Sequence, residues 1–133
     1  MTTRTTPSTS VVDRFLDAVV GGEGIPADLY ANGAHLDATV PGWRLGADGP
    51  EAITAEYGRW FAAPGRFEEL DRSPVADGEV VTYLLTWVED GVPHAAHHCH
   101  QLRLDESGRI VSDTVFCGGR WDAALLAQMA EQG

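Results

Sequence analysis

EVVTYLLTWVEDGVPHAAHHCHQLRLDESGRIVSDTVFC, residues 79–117, contains three strand-like runs joined by two turns. In the first run Val81, Tyr83, Leu85 and Trp87 alternate with Val80, Thr82, Leu84, Thr86 and Val88, giving one apolar and one mixed face. Asp90-Gly91 is a strong hairpin signal, because a type I′ turn needs two residues that tolerate positive φ. Closing it with Glu89 opposite Val92 sets Trp87 against His94, Leu85 against Ala96, Tyr83 against His98 and Val81 against His100. His94, His98, His100 and Leu102 then share the apolar face, while His97, Cys99, Gln101 and Arg103 point away from it. Asp105-Glu106-Ser107-Gly108 makes the second turn. With Leu104 opposite Arg109, His100 faces Asp113, and a slip of one residue substitutes Thr114.

Working outward, Met1 to Ser10 is rich in Thr and Ser and is expected to be a disordered tail, with residues 11–133 forming one domain. Ser8 or Ser10 is placed to cap a helix whose apolar residues Val11, Val12, Phe15, Leu16, Val19 and Val20 recur at helical spacing before Gly21-Gly22. Pro26 opens a second short helix over 27–31, and 34–40 reads as a strand ended by Pro41-Gly42. Residues 46–49 read as loop. Pro50 starts a helix with Ile53, Tyr57, Trp60 and Phe61 on one face, closed by Pro64-Gly65. Arg66 to Val75 is a weaker strand anchored by Phe67 and Leu70, and Arg120 to Glu131 reads as an amphipathic helix with Trp121, Leu125, Leu126 and Met129 as its stripe. Helices followed by an antiparallel meander with a helix folded against it make an α+β pattern: a strongly curved sheet wrapped by helices around a cavity.

At 133 residues with 44% hydrophobic and 22% charged residues, the chain reads as one ordinary globular domain. A formal charge of −11 argues against nucleic acid or an anionic membrane as partner, since phosphate binding relies on Lys and Arg. No apolar run is long enough for a membrane span and the first ten residues lack the apolar core of a signal peptide, so a cytoplasmic location is expected. Cys99 and Cys117 fall on opposite sheet faces, which argues against a disulfide between them.

The order of elements over residues 11–117 resembles the nuclear transport factor 2-like superfamily, which includes ketosteroid isomerases and SnoaL-like cyclases. The likeness rests on Leu29-Tyr30-Ala31-Asn32, on Glu51 to Tyr57, and on Asp90 to Pro93 through Leu104 to Ile110. It implies a cone-shaped fold with an internal cavity, and a homodimer formed through the outer sheet face. Laid on the isomerases, their oxyanion-hole aspartic acid falls at His100. Pocket-lining positions fall at Tyr83, Ala96, His98, Leu102, Asp113, Val115 and Cys117. Their catalytic base falls at Ala38, with Asp37 one residue away, and the tyrosine of their first helix has no counterpart. The resemblance therefore implies the cavity more than steroid isomerisation.

His100 and Asp113 are the leading candidates for catalysis. A carboxylate on one imidazole nitrogen fixes the tautomer and frees the other nitrogen for proton transfer. The competing reading is a buried polar pair kept for fold specificity. Asp37 is a candidate second acid or base, and Tyr57 and Tyr83 candidate donors to a substrate carbonyl. Trp87 is a candidate ligand contact near the pocket mouth. His98-x-His100, with His94 and Asp113, suggests a divalent-metal site as a lesser alternative. The expected function is a small-molecule pocket that shifts protons on an apolar, carbonyl-containing substrate without a cofactor. The main alternative is a binding or dimerisation module that turns nothing over.

Overall fold

The computed structural model describes residues 10–132. The expected tail therefore lies outside the described residues except for Ser10, whose hydroxyl accepts the Asp13 N–H at 3.0 Å and caps the first helix. In chain order the elements are α1 (Val11–Gly21), a 3₁₀ turn (Ala27–Leu29), β1 (Tyr30–Val40), β2 (Trp43–Asp48), α2 (Pro50–Trp60), β3 (Gly65–Val75), β4 (Gly78–Glu89), β5 (Val92–Leu104), β6 (Ile110–Asp122) and α3 (Ala123–Gln132). The strands form one open, curved sheet in the order β2-β1-β6-β5-β4-β3, in which β1 and β6 run parallel and every other pair antiparallel. This is the α+β cone expected from the pattern of elements.

The β4–β5 hairpin has the register set by Asp90-Gly91, whose φ angles of 53° and 77° are those of its turn, with Glu89 opposite Val92 and Val81 opposite His100. The β5–β6 register differs from expectation by two residues. Leu104 faces Ile110, one residue later than Arg109, and a bulge at Val111 adds a second, so Leu102 faces Asp113 and His100 faces Val115. Two slips of one residue preserve the face. Asp113 still points inward, diagonal to His100.

Other boundaries also move. The second helix is only the 3₁₀ turn, and β1 begins at Tyr30, which pairs in parallel with Ile110 of β6. The expected loop at 46–49 is mostly strand, since β2 folds back on β1 through the Pro41-Gly42 turn. Trp121 lies at the end of β6, not in α3. No described residue of α3 is buried, and Leu125 and Met129 are exposed. Leu70, expected as an apolar anchor of β3, is also exposed: although it pairs with Tyr83, it lies on the edge strand of the sheet. The core lies on the concave face. Phe15 and Val19 of α1, Ile53 and Tyr57 of α2, and Phe61 just beyond it pack onto Leu36, Ala38, Val81, Tyr83, Leu102 and Val115 of the sheet. Among the described residues, no helix is long and apolar enough to cross a membrane.

Candidate active site

Three central strands bring a chain of polar side chains into this core. On β6, Asp113 is fully buried; its Oδ2 accepts hydrogen bonds from Tyr57 Oη of α2 at 2.7 Å and from Tyr30 Oη of β1 at 3.1 Å. Its Oδ1 stands 3.0 Å from Nδ1 of His100 on β5, also fully buried. The other nitrogen of that ring, Nε2, is 2.9 Å from Tyr83 Oη on β4, and the same hydroxyl is 2.9 Å from His98 Nδ1. The result is a continuous path from Asp113 through His100 and Tyr83 to His98. Alternation places all four on one face, and the β4–β5 register sets Tyr83 directly across from His98.

The path ends at a cavity of about 220 Å³. It lies at the end of the sheet where β1 and β6 run out and the β4–β5 hairpin turns. Its apolar walls are Val40, Pro41, Trp60, Leu85, Trp87 and Ala96; His98 and Cys117 are polar groups set among them, and Arg59 and Arg120 also line it. Arg59 is ion-paired to Glu56 and Arg120 to Glu89, and the Arg120 guanidinium lies 5.4 Å over the Trp87 ring. Ligand pockets of about 300–1,000 Å³ suit drug-sized molecules, so this one suits something smaller.

Burial governs the ionisation of these groups. It pulls His98 down to about 3, helped by the positive potential of His100 and His97. Burial, and after it the charge of Asp113, raises Tyr30, Tyr57 and Tyr83 well above the usual phenol range. Burial also raises the Cys117 thiol.

The structure thus joins five of the residues singled out from sequence: His98, His100, Asp113, Tyr57 and Tyr83. Leu102 and Val115 are core neighbours opposite Asp113 and His100, and neither lines the cavity. Trp87 and Cys117 do line it. Asp37 does not reach it. Between the buried Leu36 and Ala38 its side chain turns to the opposite face, where Arg44 of β2 binds it bidentately at 2.9 and 2.8 Å and holds its carboxyl below the usual carboxylate range. The alternative metal grouping does not assemble either, for among the described residues no three His, Cys, Asp or Glu side chains converge to hold a metal. His98 Nδ1 and His100 Nε2 are both spent on Tyr83, and His94 stacks on Trp87 with ring centroids 5.6 Å apart. Tyr30 and Trp60 were missed. A helical reading of 27–31 hid Tyr30, whereas Trp60 was legible three residues after Tyr57 on the same helix face.

No protein-family profile and no curated protein matches the chain. Among solved structures it is similar to a protein reported under "An enumerative algorithm for de novo design of proteins with diverse pocket structures", at TM-score 0.60 and 13% identity, covering 80% of this chain and 95% of that one. At that identity the likeness is one of fold.

Proposed function

We propose that this chain is a nuclear transport factor 2-like pocket protein that performs cofactor-independent acid–base chemistry on a small, largely apolar molecule carrying a carbonyl group. The observation that carries this reading is the position of His98. It lies at the inner end of an apolar cavity, is 4% exposed, and its Nε2 has no hydrogen-bond partner among the described residues. A neutral imidazole with one nitrogen held and the other open is the arrangement general acid–base catalysis requires. Enolisation beside a carbonyl, as in isomerisation, cyclisation or dehydration, is the reaction class it suits. His100 and Asp113 act from behind His98, and Tyr57 and Tyr30 hold Asp113; Asp37 has no part.

A second reading, a binding module without turnover, is favoured by the complete burial of His100 and Asp113 away from the cavity. Homodimerisation through the outer sheet face, where Phe116 is 47% exposed, belongs to either reading and is checked by light scattering.

The deciding experiment is a thermal-shift screen against small enones, lactones and aryl ketones, with mass spectrometry and chromatography of the same wells. A ligand that binds the folded state raises its apparent stability. Stabilisation with chemical conversion that His98→Gln abolishes supports the enzyme. Stabilisation by ligands recovered unchanged throughout establishes the binding module instead.

A further inference from the structure

We propose that Tyr83 is a proton relay, and that a proton taken up at His98 Nε2 comes to rest as positive charge on the His100 ring beside Asp113. This deepens the proposed acid–base function and rests on it for its biological meaning, while its test does not.

The directions of the hydrogen bonds follow from the donors present. Asp113 accepts from two phenols at Oδ2; as an acceptor-only carboxylate it takes its third bond from His100 Nδ1–H. Neutral His100 then has an accepting Nε2, so Tyr83 donates its hydroxyl proton there. The Tyr83 oxygen in turn accepts from His98 Nδ1–H, and His98 Nε2 is left as an acceptor at the cavity. Every donor on the path is used once.

The same geometry runs in reverse when a proton arrives. It bonds to His98 Nε2 while the Nδ1 proton passes to Tyr83 Oη and the Tyr83 proton passes to His100 Nε2. One proton enters, no net proton leaves, and His98 ends neutral as its Nε2–H tautomer. His100 ends as imidazolium, 3.0 Å from the Asp113 carboxylate. The two shifts occur together, because burial disfavours both a tyrosinate and a charge kept on His98.

The surroundings favour charge at the inner ring. His98 has the half-buried Cys117 thiol opposite, His97 beside it in sequence, and Arg59 and Arg120 along the cavity wall, none of them an anion free to pair with it. His100 has Asp113 from β6, held by Tyr57 of α2 and Tyr30 of β1. From α1 the Phe15 ring packs on it, while Asp13 and Arg14 of that helix turn outward to Arg72 and Asp28.

The test is nitrogen NMR of ¹⁵N-histidine-labelled protein, titrated with acid from pH 8 until it unfolds, on wild type and Tyr83→Phe. In wild type at pH 8 both rings are expected as Nδ1–H tautomers. As His100 gains its second proton, His98 is expected to switch to Nε2–H in the same step without itself becoming doubly protonated. In Tyr83→Phe, checked for folding by its amide spectrum, the His98 switch is expected to vanish. Three results overturn the relay: His98 as Nε2–H at pH 8, His100 titrating with no tautomer change in wild-type His98, or no protonation of His100 before unfolding. The wild-type titration suffices should Tyr83→Phe not fold. Turnover without the coupled switch removes the relay alone, and the switch without any turnover removes the enzyme reading alone.

Discussion

The Phe15 ring of α1 meets the His100 ring edge-on, with centroids 5.0 Å apart and planes at 74°. Both residues are fully buried, and Phe15 is one of three aromatic rings, with Tyr57 and Tyr83, packed against His100. Phe15→Ala is expected to cost about 3–5 kcal/mol, because the surrounding residues relax only partly around the void. A small aromatic such as benzene is expected to restore part of the lost thermal stability by filling it. Calorimetry with and without benzene checks this; a loss below about 1 kcal/mol shows that the core collapses around the gap.

Asp113 holds both phenols on one oxygen, and its own bond to Tyr57 is shorter than that to Tyr30, 2.7 against 3.1 Å. Removing one donor weakens the satisfaction of a buried carboxylate, and removing both leaves Oδ2 with neither. Each single Tyr→Phe change is expected to cost about 1–3 kcal/mol, Tyr57→Phe more than Tyr30→Phe, and the double variant more than the sum. Urea denaturation at pH 7 measures all three. A double variant that loses no more than the sum shows that the two tyrosines do not share the burden of this one group.

The parts of this arrangement that were legible in the sequence are those set by short-range rules. Asp90-Gly91 fixed the β4–β5 register, and from it followed that Tyr83, His98 and His100 share a face with the core. That Asp113 joins them was legible only through parity, since two offsets of one residue happened to preserve its face. The rest depends on partners distant in sequence. Tyr30 became strand through its parallel pairing with β6, and Asp37 was turned out once β2, hidden in a glycine-containing stretch, placed Arg44 beside it. Sequence placed both His98 and His100 at the cavity. The structure keeps only His98 there, because Phe15, Tyr57 and Tyr83 fill the space around His100.

Histidine in an unfolded chain ionises near 6.5, whereas burial first, and then His100 and His97, hold His98 at about 3 in the fold. Between these values the unfolded chain binds a proton that folded His98 does not. The contribution of His98 to stability is therefore complete above about pH 6.5 and is lost as pH falls toward 3. His98→Gln is expected to be less stable than wild type at pH 7.5 and to lose less on acidification. Guanidinium denaturation at pH 7.5, 6 and 5 gives the slopes. Parallel slopes for the two proteins show that His98 takes up its proton in the folded state as readily as in the unfolded one.

Two glycines at the ends of β4 carry different constraints. Gly91 has φ +77° in the tight turn with open space where a Cβ would point, so alanine there meets only backbone strain, about 1–2 kcal/mol. Gly78 faces Arg103 across the ladder, and a Cβ on it would stand 1.8 Å from the Leu102 carbonyl oxygen and 3.0 Å from Arg103 Cα. Both are backbone atoms of β5, so no side-chain rotation relieves the clash, and Leu102 is the residue opposite Asp113. Gly78→Ala is expected to cost at least about 3 kcal/mol, the upper range for overpacking, and to disturb the Asp113 end of the polar path. The expected order is wild type, Gly91→Ala, then Gly78→Ala by melting temperature, with the His100 ring nitrogens shifted only in the last. An equal or reversed order means that the β4–β5 ladder is open at Gly78, and that the register holding Tyr83 against His98 is anchored from the turn alone.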